Sequence, residues 1–198
     1  MTIHVVRTGV ANLASVLAAL ERAGAVPVLA ADADAIRAAD RLVLPGVGAF
    51  GAAMGELRRL DIVQALQERI RAGRPTLTVC LGLQLLAASS EESPGEAGLG
   101  LVSAAVTRFQ GDVRVPQMGW NAVEPEPGAQ WVRPGHAWFA NTFKLDRIPA
   151  GWTGATADHG GPFVAAIERG DVLACQFHPE LSGAWGAELL GRWVEGRC

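Results

Sequence analysis

The sequence has no tyrosine, only three cysteines and no excess of positive charge. Its formal net charge of −3 gives none of the basic surface that nucleic-acid binding requires. Three cysteines without paired spacing do not form a disulfide framework. No apolar run approaches the ~20 residues that span a bilayer, and the first residues lack the pattern of a secretion signal. We therefore expect a cytoplasmic protein with reduced cysteines.

The overall composition predicts a compact globular chain. Its 198 residues are enough to bury a substantial core, and 49% are hydrophobic while 19% are charged. No internal repeat, low-complexity tract or linker interrupts this composition. We therefore expect a single domain that covers residues 1–198.

Hydrophobic periodicity in the first half of the chain predicts alternating strands and helices. Strands are expected at 3–7, 26–30, 41–44 and 75–79. Helices are expected at 13–20, 49–57, 62–70 and 81–88, with Gly24 and Gly73 ending the first and third of them. This order predicts an α/β fold with an open, mostly parallel sheet and helices on both faces.

After Gly98 the predicted elements become shorter. Turn-separated segments at 103–109, 121–124, 137–141 and 162–168 indicate antiparallel strands added to one edge of the sheet. A last helix is expected at 185–194, where Trp185, Leu189 and Trp193 form one stripe that we expect to face the core.

Cys80 is the first candidate for chemistry. It follows the apolar strand 75–79 and precedes a helix that begins at Leu81, with Gly82 allowing a sharp turn. A lone cysteine in such a place is more often inert packing. The N–H groups and dipole of the following helix would instead favour the thiolate. Cys175, inside a strand, and Cys198, the last residue, have no comparable context.

His178 and Glu180 are the second candidate pair, because they follow another apolar run, 172–177. Taken singly, each is most simply a solvated polar residue. Together, Glu180 could hold one ring nitrogen of His178 and leave the other facing a thiol, as in a nucleophilic triad. The histidine and cysteine spacing indicates no metal site, and no cofactor is expected.

A third motif, P-G-V-G at 45–48, follows a strand and precedes a helix. It lacks the residues of a phosphate-binding loop. Two interpretations remain open from the residues alone. It is either a simple turn or a loop whose N–H groups bind a negative oxygen beside Cys80.

These motifs together carry a family resemblance. C-L-G-L-Q, P-G-V-G-A-F-G and Q-F-H-P-E resemble the triad-type (class I) glutamine amidotransferases over nearly the whole chain. V-P-Q-M-G-W-N at 115–121 and G-G-P-F-V-A-A at 160–166 are similar to the glutaminase subunits of imidazole glycerol phosphate synthases, which serve histidine biosynthesis.

The resemblance implies a Cys80–His178–Glu180 triad that hydrolyses L-glutamine to glutamate and ammonia. It assigns oxyanion or substrate binding to Gly46, Val47, Gly48, Leu81, Gln84, Glu92, Asn141, Thr142 and Phe143. Among these, Gln84 and Glu92 would contact the amino-acid end of glutamine. The segment 141–143 would offer its backbone to the same ligand.

The resemblance also implies a partner. A (β/α)8-barrel cyclase subunit would form a heterodimer with this chain and receive ammonia inside protein, since ammonium in water is not a nucleophile. The candidate docking surface consists of Asn12, Gln117, Met118, Gly119, Trp120, Asn121 and Leu181. For Trp120, burial in the core is the ordinary alternative.

The chain departs from the family pattern at several places. Arg7 and Thr8 replace an Asp-Tyr pair, Asn141–Phe143 replace H-S-Y, and Leu181 replaces a lysine. These changes bear on a charged contact with the partner, not on the triad. Two alternatives stay open: a glutaminase for another acceptor, such as pyridoxal phosphate or anthranilate synthesis, and a non-catalytic flavodoxin-like binding module.

Overall fold

The computed structural model describes residues 1–7 and 13–197, which form six α-helices and twelve strands. The strands are β1 (Thr2–Val6), β2 (Val26–Ala30), β3 (Leu42–Gly46), β4 (Thr76–Cys80), β5 (Ala87–Ser90), β6 (Val102–Arg108), β7 (Gln117–Pro125), β8 (Gly135–Asn141), β9 (Phe143–Lys144), β10 (Thr153–Asp158), β11 (Pro162–Arg169) and β12 (Val172–Cys175). The helices are α1 (Leu13–Arg22), α2 (Ala33–Ala38), α3 (Phe50–Arg59), α4 (Val63–Arg71), α5 (Leu81–Gln84) and α6 (Gly183–Glu195).

Nine strands form the central sheet, in the order β2-β1-β3-β4-β12-β11-β10-β7-β8. The pairs from β2 to β12 are parallel, and those from β12 to β8 are antiparallel. The expected α/β architecture with added antiparallel strands is therefore confirmed. A second, three-stranded sheet has the order β5-β6-β9.

Helices cover both faces of the parallel part of the sheet. On one face α1 and α6 contribute Leu20, Leu189 and Trp193 to the core, and on the other α3 and α4 contribute Phe50 and Leu66. Strands β3, β4 and β12 are consequently buried along their whole length. This burial explains why they are continuous apolar runs instead of alternating patterns. None of the helices in the described ranges is long and apolar enough to cross a membrane.

The predicted length of the helix at 81–88 is wrong. It ends at Gln84, and residues 87–90 form β5. The cause is tertiary, because the N–H groups of Leu99 and Leu101 bond to the carbonyls of Leu85 and Leu86, at 2.8 and 2.9 Å. A longer helix would need those carbonyls for its own bonds.

Three further differences concern short elements. Helix α2 was not expected, because its six residues bury only Ile36; Asp32 caps it by accepting from the N–H of Ala35 at 2.8 Å. Strands β9 and β10 were likewise missed. The segment 103–109 was expected at the sheet edge, but β6 pairs instead with β5 and β9 in the small sheet.

Candidate active site

Three adjacent parallel strands deliver the candidate residues to one edge of the sheet. Cys80 ends β4, Val47 and Gly48 follow β3, and His178 and Glu180 follow β12. Because parallel strands end at the same edge, these groups meet in a cavity of about 440 Å³. Every residue expected at the catalytic and substrate-binding site lines this cavity except Gly46.

Cys80 occupies an unusual backbone conformation. Its φ of 54° and ψ of −111° lie in a region that favours glycine. The strand therefore turns abruptly into α5, and the sulfur sits at the corner, 7% exposed and facing the cavity. This is the strand–nucleophile–helix geometry in which a sharp turn presents the reacting atom.

Two glycines allow the neighbouring backbone to come close to this corner. A Cβ on Gly46 would lie 2.8 Å from the amide nitrogen of Gly82, and a Cβ on Gly82 would collide with the carbonyl oxygen of Leu44. Gly46 thus lies behind the cavity wall and sets the distance between β3 and the nucleophile turn. Val47 and Gly48 continue from it into the cavity beside Cys80 and Leu81, a placement that supports the oxyanion interpretation of P-G-V-G.

His178 and Glu180 form a buried ion pair. The Nδ1 of His178 lies 2.8 Å from Oε1 of Glu180, and the two side chains are 9% and 4% exposed. Burial lowers the pKa of His178, but hydrogen bonds to Cys80 and Glu180 and their charges outweigh it and raise the pKa to about 10. The ring is therefore protonated at neutral pH. The other oxygen of Glu180, Oε2, is buried and has no partner in the described part of the chain.

A set of amide side chains connects the sulfur to the far wall of the cavity. Gln176 donates from Nε2 to Cys80 Sγ at 3.8 Å and accepts at Oε1 from Gln84 Nε2 at 3.0 Å. Gln84 Nε2 also donates to the carbonyl of Phe143 at 2.9 Å. Both amide protons of Gln84 are thereby used, so only its carbonyl oxygen remains for a ligand.

Two other residues of the expected substrate site have distinct partners. Glu92 accepts from the N–H of Phe50 at 2.7 Å, so its carboxylate caps α3 while it lines the cavity. Asn141 donates from Nδ2 to the carbonyl of Phe143 at 3.0 Å, but its buried Oδ1 has no partner within 1–7 and 13–197. A buried acceptor without a donor at a cavity wall is suited to a ligand N–H group.

An exposed apolar surface adjoins the cavity. Met118, Trp120 and Leu181 are 68%, 56% and 43% exposed, and Met118 and Leu181 also line the cavity. The alternative of a buried Trp120 is therefore wrong. Gln117 lies beneath this surface at 5% exposed, Gly119 and Asn121 are half-buried, and Asn12 lies outside the described residues.

The sequence interpretation did not single out Gln176. The residue is fully buried one position after β12, directly before the Phe177–His178 pair. A polar side chain at the end of an otherwise apolar run was the available signal. Cys175, by contrast, is fully buried within β12, where burial and then the charges of Glu168 and Glu180 raise the pKa of its thiol.

Comparison with known proteins gives a consistent family. Residues 8–194 match the model of the class-I glutamine amidotransferase family. "Imidazole glycerol phosphate synthase subunit HisH" from Symbiobacterium thermophilum is 40% identical and covers 99% of this chain and 94% of its own length. The protein of the same name from Mycolicibacterium paratuberculosis is 43% identical, with 94% of each chain covered.

Solved structures agree at the level of the fold. A structure described as glutamine amidotransferase superimposes with a TM-score of 0.77 at 22% identity, covering 98% of each chain. The structure of PurLQS from Thermotoga maritima gives a TM-score of 0.72 at 17% identity, covering 98% of this chain and 97% of the other.

Proposed function

The chain belongs to the class I glutamine amidotransferase family and is a glutamine-hydrolysing enzyme, and we propose that Cys80, His178 and Glu180 carry its chemistry as the glutaminase subunit of an imidazole glycerol phosphate synthase. The observation that carries the proposal is the meeting of sulfur, imidazole and carboxylate in one cavity at the ends of β4 and β12.

The first half of the reaction forms a thioester. The Cys80 thiolate attacks the side-chain amide carbon of glutamine, and the carbonyl oxygen becomes an oxyanion facing the backbone N–H groups of Leu81 and the Val47–Gly48 loop. Protonated His178 donates to the amide nitrogen, the C–N bond breaks and ammonia leaves. The raised pKa of His178 suits this step, because the ring holds the proton before the attack.

In the second half, His178 is neutral and accepts a proton from water. The water oxygen attacks the thioester carbon, the C–S bond breaks and glutamate is released with the Cys80 thiolate restored. Glu180 keeps Nδ1 of the ring directed away from the reaction throughout, through the 2.8 Å contact.

The opposite wall of the cavity would receive the amino-acid end of glutamine. The free carbonyl oxygen of Gln84, Oδ1 of Asn141 and the carboxylate of Glu92 are acceptors suited to the substrate ammonium group. The backbone of Thr142 and Phe143 completes this wall.

The ammonia would pass to a (β/α)8-barrel cyclase subunit in a heterodimer within the cytoplasm. The apolar surface of Met118, Trp120 and Leu181 supports this part of the proposal, because large exposed apolar groups are typical interface anchors. A partner seated there would cover the mouth of the cavity and keep ammonia from water. Since Leu181 is uncharged, the contact at that position would be apolar.

The decisive experiment compares Cys80→Ala with Cys175→Ala in the assembled complex. Cys80→Ala should abolish glutamine-dependent synthesis, by at least about 10³-fold, while ammonia-dependent synthesis by the partner persists. Cys175→Ala should preserve both activities, because that sulfur is buried outside the cavity. Loss of both activities in Cys80→Ala would contradict channelling, and retained glutaminase activity would exclude Cys80 as the nucleophile.

Activation by different partner subunits tests which molecule accepts the ammonia. The complex with the barrel cyclase should turn over glutamine when the acceptor nucleotide is present, whereas the isolated chain should have low activity, because the Val47–Gly48 loop needs the partner to organise it. High activity of the isolated chain would contradict that dependence. Activation by a pyridoxal phosphate or anthranilate synthase partner instead would favour the other acceptors, and a Cys80 indifferent to a glutamine-analogue electrophile would favour a binding module.

A further inference from the structure

The short length of α5 leaves the thiolate of Cys80 with little support from a helix. An α-helix dipole grows from many aligned peptide units, and α5 has only four residues. The positive group in the cavity is His178, which sits on one side of the sulfur. Further hydrogen-bond donors to the sulfur must therefore come from the side chains around it.

Gln176 supplies a donor from the buried side. Its side chain is fully buried, its Nε2 lies 3.8 Å from Cys80 Sγ, and its Oε1 lies 3.0 Å from Gln84 Nε2. Gln84 fixes the orientation of this amide, because the Nε2 group of Gln84 can only donate and therefore requires the oxygen of Gln176 opposite it. The N–H groups of Gln176 must then point toward the sulfur.

We propose that Gln176 is a positioning residue for the nucleophile: it donates a hydrogen bond to the Cys80 sulfur and holds Gln84 in the orientation that presents an acceptor to the substrate. The proposal rests on the function assigned above and deepens it. It predicts a role for Gln176 in the reactivity of the sulfur that is separate from its effect on substrate binding.

The hydrogen bonds that join the substrate, Gln84, Gln176 and the Cys80 sulfur all run in the same donor-to-acceptor direction. A substrate ammonium would donate to the Gln84 oxygen, Gln84 donates to Gln176, and Gln176 donates to the sulfur. Hydrogen bonds arranged in this way polarise one another. Substrate bound at one end therefore strengthens the donor at the nucleophile. Gln176 is fully buried, whereas Cys80 is 7% exposed and faces the cavity.

The test measures the reactivity of the sulfur directly, as the rate of Cys80 alkylation by iodoacetamide from pH 5 to pH 10 in the full chain. Gln176→Met keeps the approximate volume and removes the donor, so the profile should move to higher pH and the rate at pH 7 should fall about tenfold. Besides Cys80, the titratable groups that line the cavity are His178, Glu180 and Glu92, and all of them are unchanged in this variant.

Gln84→Met separates the two roles. It should raise KM for glutamine in the complex and move the alkylation profile by less than Gln176→Met does, because the Gln176 donor is retained and only its orientation is no longer fixed. Gln176→Met should lower kcat as well. If the two variants move the alkylation profile equally, Gln176 only supports Gln84 and the proposal is wrong. Thr78→Val is the matched control, because this buried hydroxyl on β4 has no partner in the described residues and does not line the cavity.

Folding and the assigned function are checked separately. Thermal unfolding and binding to the partner must match wild type; if Gln176→Met does not fold, Gln176→Asn tests the same prediction, because its shorter amide cannot reach both Cys80 and Gln84. A wild-type alkylation profile in a folded variant overturns this inference and leaves the glutaminase assignment intact. Failure of the assigned function would appear instead as glutamine turnover that survives Cys80→Ala.

Discussion

At the two ends of strand β4, buried polar groups differ in whether they are paired by hydrogen bonds. At its first residue, Thr76, the hydroxyl accepts from Arg69 and donates to the carbonyl of Arg74. At its last residue, Cys80, the backbone is strained and nearby acceptors are unpaired in the described residues. The contrast arises over only five residues of one strand.

The saturated end is organised by Arg69, which is 2% exposed. Each of its five N–H groups has an acceptor between 2.6 and 3.1 Å away: Thr76 Oγ1 and the carbonyls of Ile36, Ala39, Asp40 and Pro75. Burial, and then the charge of Arg74, lowers the pKa of Arg69 to about 10, so it remains charged at neutral pH. This side chain ties the loops before β3 and β4 together.

The open end has the opposite character. Oδ1 of Asn141 and Oε2 of Glu180 are buried without partners in the described ranges, and Cys80 has a positive φ. Such features cost stability and are retained where a ligand or a reaction uses them. The comparison predicts that substitutions at the Arg69 end change stability, and that those at the Cys80 end change reactivity.

The largest stability effect is expected from Arg69→Met. The substitution leaves the carbonyls of Ile36 and Asp40 without donors in the described residues, while those of Ala39 and Pro75 keep one each. The free energy of unfolding should fall by about 3–5 kcal/mol. Urea unfolding measures it. Arg74→Met is the control, because that arginine is more exposed and its side chain, within the described residues, donates only to the carbonyls of Arg37 and Ala39. A loss of about 1 kcal/mol is expected. Equal losses in the two variants would refute a special role for the buried end.

The next prediction concerns the pKa of His178. Cys80→Ala should lower it by more than one unit, or about 1.4 kcal/mol, and Glu180→Gln should lower it less, because the hydrogen bond to Cys80 is the largest raising contribution. NMR titration of ¹⁵N-labelled histidine gives the values, with His178→Gln identifying the signal. An unchanged pKa in Cys80→Ala would show that the two side chains do not interact.

The same group makes stability depend on pH. The folded chain binds this proton more tightly than the unfolded chain, so the protonated ring stabilises the fold fully below a pH of about 6.5. That stabilisation should be lost as the pH rises through about 10. Urea unfolding of wild type and His178→Gln at pH 6 and 10 should show a difference that shrinks at the higher pH.

A smaller effect should separate substrate binding from folding at the open end. Asn141→Leu removes an acceptor that the proposed substrate would use, so KM for glutamine should rise three- to tenfold, about 1 kcal/mol. Stability should hardly change, because the unpaired Oδ1 disappears together with the bond to Phe143. Thr78→Val, which removes an unpaired acceptor outside the cavity, should leave KM unchanged.

Local sequence patterns predict those features that depend on neighbouring residues and miss those that depend on distant contacts. The α/β class, the bounds of β2 and the cysteine at a strand end follow from local apolar runs and turn residues. The length of α5 does not, because the competing bonds come from residues 99 and 101. The partners of Gln176 lie 92 and 96 positions away, so its role depends on the sheet order, which no local pattern encodes.

The smallest effect isolates the strain at Cys80 itself. Glycine tolerates a φ of 54° whereas alanine does not, so Cys80→Gly should be more stable to urea than Cys80→Ala by about 0.5–1 kcal/mol. At Cys175, which lies in the regular strand β12, the order should reverse, because there glycine only adds unfolded-chain entropy. Both cysteines are buried in the same core, so the reversal cannot come from the loss of sulfur packing. The same order at both positions would mean that the corner at Cys80 stores no strain, and the distinction between the two ends of β4 would then rest on the unpaired acceptors alone.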